Sequence, residues 1–83
     1  MKVRVRYFAS LREALGAGET FEMPDGLNVA EARQWLAGQD AAHTAVLAPE
    51  RLLRCALNEV LCHPDTPVDD GSELAFFPPV TGG

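Results

Sequence analysis

The sequence predicts an α+β domain in which a mixed sheet packs on one main helix. Three observations carry that prediction. Apolar residues alternate with polar ones at both ends of the chain, in Lys2 to Phe8 and Glu73 to Phe77, the period of a half-buried strand. Between them, Asn28 opens a segment with apolar residues at helical spacing, closed by Gly38. A third alternating stretch, Leu52 to Cys62, has a turn-forming residue, Asn58, in its middle.

Each element follows from its residues. Val3, Val5 and Tyr7 form the apolar face of the first strand, and Lys2, Arg4, Arg6 and Phe8 form the other. Ala9 to Leu15 holds good helix formers and stops at Gly16, a short helix or turn. Glu19 to Met23 reads as a second strand, ended by Pro24-Asp25-Gly26. Asn28 caps the main helix, and Glu31, three residues on, completes a capping-box pair. Val29, Ala32 and Leu36 share one face, with Trp35 beside it and partly covered. Asp40 to Leu47 adds a further helical turn before Pro49. In the hairpin, Leu53, Cys55 and Leu57 alternate with Leu52, Arg54 and Ala56, and the turn centres on Asn58 and its neighbour. His63-Pro64-Asp65 leaves the sheet, and Asp69-Asp70-Gly71 turns into the last strand, where Leu74 and Phe76 share one face, Ala75 and Phe77 the other. With the first strand a candidate to pair with the last, the order suggests a β-grasp arrangement. Residues 1–77 form the domain and 78–83 an extended tail.

Eighty-three residues support one modest core. A net charge of −5 argues against nucleic acid, whose binding footprint is basic, and against anionic membrane. No apolar run reaches the roughly 20 residues of a membrane span, and Met-Lys-Val-Arg-Val-Arg lacks the apolar stretch of a secretory signal. The expected location is the cytoplasm. Cys55, Cys62, His43 and His63 do not make a zinc ligand set, so no metal is expected. The two cysteines would lie opposite each other in the hairpin, as thiols in a reducing compartment. Asp69-Asp70 reads as turn chemistry, and Ser10, His43 and His63 suggest no nucleophile–base pair.

The ending "FFPPVTGG" is the most informative stretch. Pro78 and Pro79 cannot donate ladder hydrogen bonds, so the sheet stops and the chain leaves as an extended rod of roughly 3.1 Å per residue. Val80 and Thr81 continue it, and Gly82-Gly83 offer the narrowest backbone a peptide has. The plain alternative is that two terminal glycines fray. The chemical reading is that the last carboxylate is the reagent, unreactive until ATP converts it to an acyl-adenylate whose AMP sulfide can displace.

"LNEVLCHPDTPVDDGSELAFFPPVTGG", together with "RYFASLREALG", resembles the small subunits of molybdopterin synthase, a family of ubiquitin-like sulfur-carrier proteins. The resemblance spans the chain; Phe77 to Gly83 is its specific part and residues 17–50 are generic. It implies a ubiquitin-like β-grasp fold and a thiocarboxylate on Gly83, preceded by Gly82. It also implies three partners: an adenylating enzyme like those that activate ubiquitin, a sulfur-donating protein, and the large subunit. The large subunit supplies the active-site pocket and uses the sulfur to build the molybdopterin dithiolene. The family assembles as a heterotetramer, and the small chain alone is inert. With no Gly-rich phosphate loop in the sequence, no cofactor is expected on this chain, and ATP belongs to the adenylating partner.

Family positions matching Phe8, Leu61 and Phe77 face the partner, and Pro78, Pro79, Val80 and Thr81 lead into its pocket. Strand parity agrees, since it puts Arg4, Arg6, Phe8, Arg54, Ala56, Leu61, Ala75 and Phe77 on the sheet face away from the helix. The arginines there are either contacts or a solvated face. Rival readings are a thiamine-pathway or transfer-RNA-thiolation carrier, a protein modifier joined through Gly83 to lysines, and an adaptor that uses the sheet face alone. The Phe-Pro-Pro-Val-Thr lead-in favours the first assignment.

Overall fold

A computed structural model describes residues 1–79. Eight elements follow one another: β1 (Lys2–Tyr7), α1 (Ser10–Leu15), β2 (Gly18–Glu22), α2 (Val29–Ala37), α3 (Ala41–Leu47), β3 (Arg54–Leu57), β4 (Val60–Leu61) and β5 (Glu73–Phe77). The sheet runs β2-β1-β5-β3-β4. The central pair β1–β5 is parallel, and the other three pairs are antiparallel. The first strand therefore pairs with the last, the candidate pairing that the order of elements offered. This is the ubiquitin-like β-grasp architecture.

Burial follows side-chain parity. Val3, Val5, Tyr7, Leu74 and Phe76 are all sealed on the helix side of the sheet. Against them pack Val29, Ala32 and Leu36 of α2, Leu11 of α1, and Val46 and Leu47 of α3. The main helix starts where the capping box places it. Asn28 Oδ1 accepts from the Glu31 amide at 2.8 Å, and Glu31 Oε1 accepts from the Asn28 amide at 3.0 Å. Two donors that a helix start leaves unpaired are thereby satisfied. Trp35 is half-buried and meets Phe21 edge-on, with ring centroids 5.8 Å apart.

The expected Leu52–Cys62 hairpin is shorter than its alternation. Only Arg54–Leu57 and Val60–Leu61 are strand. The Arg51 amide bonds back to the Ala48 carbonyl, so the chain is still turning out of α3 at that point. The turn itself sits where expected, with Asn58 at φ 50° and Glu59 at φ 70°, the paired left-handed residues of a tight hairpin. The second strand starts one residue earlier than expected, because Gly18 pairs with Arg6. Only glycine fits there without a shift: an added Cβ would lie 2.8 Å from the Val5 carbonyl oxygen.

The segment from Asp40 to Leu47 is a full helix rather than a single turn, and it contains a polar cluster the alternation does not reveal. Asp40 caps α3 through the His43 amide at 2.8 Å. The buried His43 ring places Nδ1 2.7 Å from Asp40 Oδ1 and Nε2 2.8 Å from Glu19 Oε2. Tyr7 donates its hydroxyl to the same Glu19 oxygen at 3.0 Å. Ionised carboxylates only accept, so the arrangement favours the protonated ring, in which both nitrogens donate. Burial opposes that charge, and the bonds to Glu19 and Asp40 outweigh it, so the His43 pKa lies above its ordinary value.

The sign of the pH dependence follows. Stabilisation from His43 is full below about pH 6.5 and is lost as pH rises through the raised folded value. The Asp40 carboxyl, held low by the amide and ring of His43, acts in the opposite sense. Its share is present above the ordinary carboxylate value and is lost as pH falls through the depressed one. Thermal unfolding followed from pH 5 to 9 should show stability declining on the alkaline side, and His43→Gln should flatten that decline. An unchanged slope in the variant would remove His43 as its cause.

Candidate functional site

The outer face of the sheet, away from α2, is built by register. One cross-strand row reads Gly18, Arg6, Ala75, Ala56, Leu61. The next row pairs Phe77 with Arg54. Phe8 lies just past β1, and its amide donates to the Phe76 carbonyl at 3.2 Å, which extends the β1–β5 register by one step. Parity then sets Phe8 on the Phe77 side. Neighbouring strands lie about 4.8 Å apart, so Phe8, Phe77 and Arg54 form one end of the face and Leu61 flanks it across Ala56.

Small side chains in the middle, Ala75 and Ala56, leave the backbone low between these larger groups. Phe8 is 37% exposed and Leu61 58% exposed. Phe77 is half-buried, as are Pro78 and Pro79 beyond it. Exposed apolar residues clustered with arginines have the composition of a contact surface.

The charges on this face are not equivalent. Arg4 sits directly opposite Glu73, a neighbour of opposite sign. Arg6 instead places its guanidinium carbon 5.2 Å from the centre of the Phe8 ring, a cation–π contact. Among the described residues, Arg4, Arg6 and Arg54 make no ion pair. All three therefore remain available to an acidic partner, Arg6 and Arg54 nearest the end of the sheet that carries Phe77.

The structure brings together Phe8, Phe77, Pro78 and Pro79, with Leu61 on the flank. Val80, Thr81, Gly82 and Gly83 lie outside the described residues. Two exposed apolar residues were absent from the expected surface: Leu52, 78% exposed, and Val60, 66% exposed. Leu52 has the parity of Arg54, so the alternation already contained its signal. Val60 has the parity of the core, opposite Leu57, and is exposed because β4 lies at the sheet edge.

The other polar candidates serve structure. Asp70 accepts from the Lys2 amide at 2.6 Å, and Ser72 Oγ accepts from the Asp69 amide at 3.2 Å, which is turn chemistry. Both nitrogens of His43 are taken by carboxylates. No group of three or more potential metal ligands occurs among the described residues, and no helix there is long and apolar enough to cross a membrane.

Comparison with known proteins adds three findings. The ThiS family model matches residues 5–83, which includes both terminal glycines. The molybdopterin synthase sulfur carrier subunit of Escherichia coli is 41% identical over 81 residues, covering 98% of this chain and 99% of that protein. Among solved structures, SAMP1 from Haloferax volcanii, a small archaeal modifier protein, superimposes with a TM-score of 0.78 at 26% identity, each chain covered completely. A complex of subunits 1 and 2 of the molybdopterin-converting factor from Helicobacter pylori contains a chain matching at TM-score 0.68 and 27% identity, again over the full length of both.

Proposed function

Because this chain belongs to the ThiS family, we propose that it is the sulfur-carrier subunit of a molybdopterin synthase, with the Gly83 carboxyl as its reacting group. The observation that carries the reading is the whole-length similarity to a sulfur carrier subunit of that enzyme, with a family match that extends through Gly82-Gly83.

The chemistry needs little from this chain beyond a tip and a grip. A C-terminal carboxyl has a pKa of about 3.3–3.7, so at neutral pH it is an unreactive anion. An adenylating partner holding ATP converts it to an acyl-adenylate and releases pyrophosphate. A sulfur-donating protein then supplies sulfide, AMP leaves, and the tip becomes a thiocarboxylate. The large subunit receives the tip in its pocket, where the sulfur bonds to the pterin precursor and water cleaves the acyl–sulfur bond, which returns the carboxylate.

Gly82 and Gly83 keep the arm narrow, and Pro78 and Pro79 stiffen its root. Phe8, Leu61 and Phe77 anchor the large subunit, with Arg6 and Arg54 beside them. The complex of two converting-factor subunits from Helicobacter pylori supports a large-subunit partner.

The likeness to a small archaeal modifier protein favours a second reading, in which Gly83 is joined to lysines of target proteins. One experiment separates the two. The chain is incubated with an adenylating enzyme of this type, ATP and a sulfur source, and its intact mass is measured. Replacement of one oxygen by sulfur is the expected result. Lysine-linked adducts without any sulfur-bearing form would support the modifier reading instead.

A further inference from the structure

The hairpin holds two nucleophilic groups that sulfur carriage at Gly83 does not use. Cys55 in β3 and Cys62, just past β4, face each other across the ladder. The Cys62 amide donates to the Cys55 carbonyl at 3.2 Å, and the two sulfurs are 3.6 Å apart as free thiols. Directly opposed, hydrogen-bonded residues of an antiparallel pair have Cα atoms about 5.5 Å apart, inside the 4.4–6.8 Å a disulfide requires. Closing the sulfurs to about 2.05 Å therefore needs side-chain rotation and no strand movement.

The site is also approachable, since both cysteines are only half-buried. Cys55 lines a partly open cavity of ≈ 350 Å³ between α2 and β3, together with Arg33, Arg54, Leu53 and Phe76. The positive charges of Arg33 and Arg54 both act on Cys55, which favours an anionic reagent. Arg33 is fixed in place, donating to the carbonyls of Leu47, Ala48 and Arg51.

We propose that Cys55 and Cys62 are a redox modification site, closing into a reversible cross-strand disulfide by exchange with an anionic low-molecular-weight disulfide. The Cys62 thiolate attacks one sulfur of the reagent, forming a mixed disulfide and releasing one reagent thiolate. The Cys55 thiolate then attacks Cys62 Sγ and expels the second. The protein gives up two protons and two electrons, and the reagent is reduced to two thiols. Burial pushes the Cys55 thiol up to about 11, which makes Cys55 the less ready first nucleophile. The closed bond ties β4, which carries Leu61, to β3, so the redox state reaches the outer face of the sheet.

The test uses the full reduced chain and oxidised glutathione, with acid quench, alkylation and intact mass. The expected product has lost two hydrogens, retains no glutathione and resists alkylation. Cys55→Ser should instead retain one glutathione, on Cys62. Cystamine, a cationic disulfide, should react at least fivefold more slowly. Two stable glutathione adducts, or two alkylatable thiols after prolonged excess of oxidant, would overturn the disulfide. Equal rates with cystamine would overturn the preference for an anionic reagent. The readout is independent of Gly83, so its failure leaves the sulfur-carrier reading untouched.

Discussion

Deleting Gly83 should abolish sulfur transfer and leave the domain folded. Among the described residues, every buried apolar side chain of the core lies between Val3 and Phe76, and Gly83 has no side chain to contribute. Changes outside core, caps and strained backbone shift stability by about 0.5 kcal/mol or less. Thermal and denaturant midpoints should therefore match those of the intact chain. Transfer should fall below detection rather than by a graded factor, because the variant offers a Thr-Gly ending one residue short of a pocket that a rod of roughly 3.1 Å per residue must reach. The assay is single-turnover conversion of the pterin precursor with the large subunit present. Retained transfer would show that the reacting atom is elsewhere.

Phe76 and Phe77, adjacent in sequence, should fail in opposite ways when truncated. Phe76 is 1% exposed in the core. Phe76→Ala should cost about 3–5 kcal/mol from lost burial and the cavity left behind. At roughly 0.05–0.15 kcal/mol per residue the domain has on the order of 4–12 kcal/mol in total, so this loss threatens folding itself. Phe77 points the other way, opposite Arg54 on the outer face. Phe77→Ala should barely move the unfolding midpoint, yet weaken large-subunit binding by roughly 30-fold, about 2 kcal/mol, as a central aromatic contact does. Denaturant unfolding measures the first effect and titration with the large subunit the second. A destabilised Phe77→Ala with unchanged affinity would place that ring in the core.

This pair also shows why most of the fold was legible in the sequence. Strand alternation is a local property, so the inward set Val3, Val5, Tyr7, Leu74 and Phe76 and the outward set Arg4, Arg6, Ala75 and Phe77 follow from period two alone. Asn28 and Glu31 specify a helix start three residues apart for the same reason. The parts that were not legible depend on contacts distant in sequence. His43 is buried only because Glu19, 24 residues away on β2, meets its far nitrogen. A lone histidine in a short helix gives no hint of that, although Asp40 three residues before it does signal the cap. The length of the hairpin was likewise set by a non-local event, the turn out of α3 at Arg51, which alternation cannot register. The exposure of Val60 depends on its place at the edge of the sheet, a matter of strand order rather than of parity.

At the candidate site, parity placed Phe8, Leu61 and Phe77 on one surface, and the register puts them there. The placement of Arg4 opposite Glu73, where the two make no ion pair, required the register of β1 against β5. The proposed reacting tip was read from residue chemistry: two prolines that end a strand, two branched residues, then two glycines.

The most direct test of this account is to block the tip alone. A semisynthetic chain whose Gly83 carboxyl is converted to an amide has the same core, the same sheet face and the same tail length. The account predicts that it still binds the large subunit with native affinity but cannot be adenylated, acquires no sulfur and supports no dithiolene formation. Cofactor synthesis at the native rate from that amidated chain would contradict it.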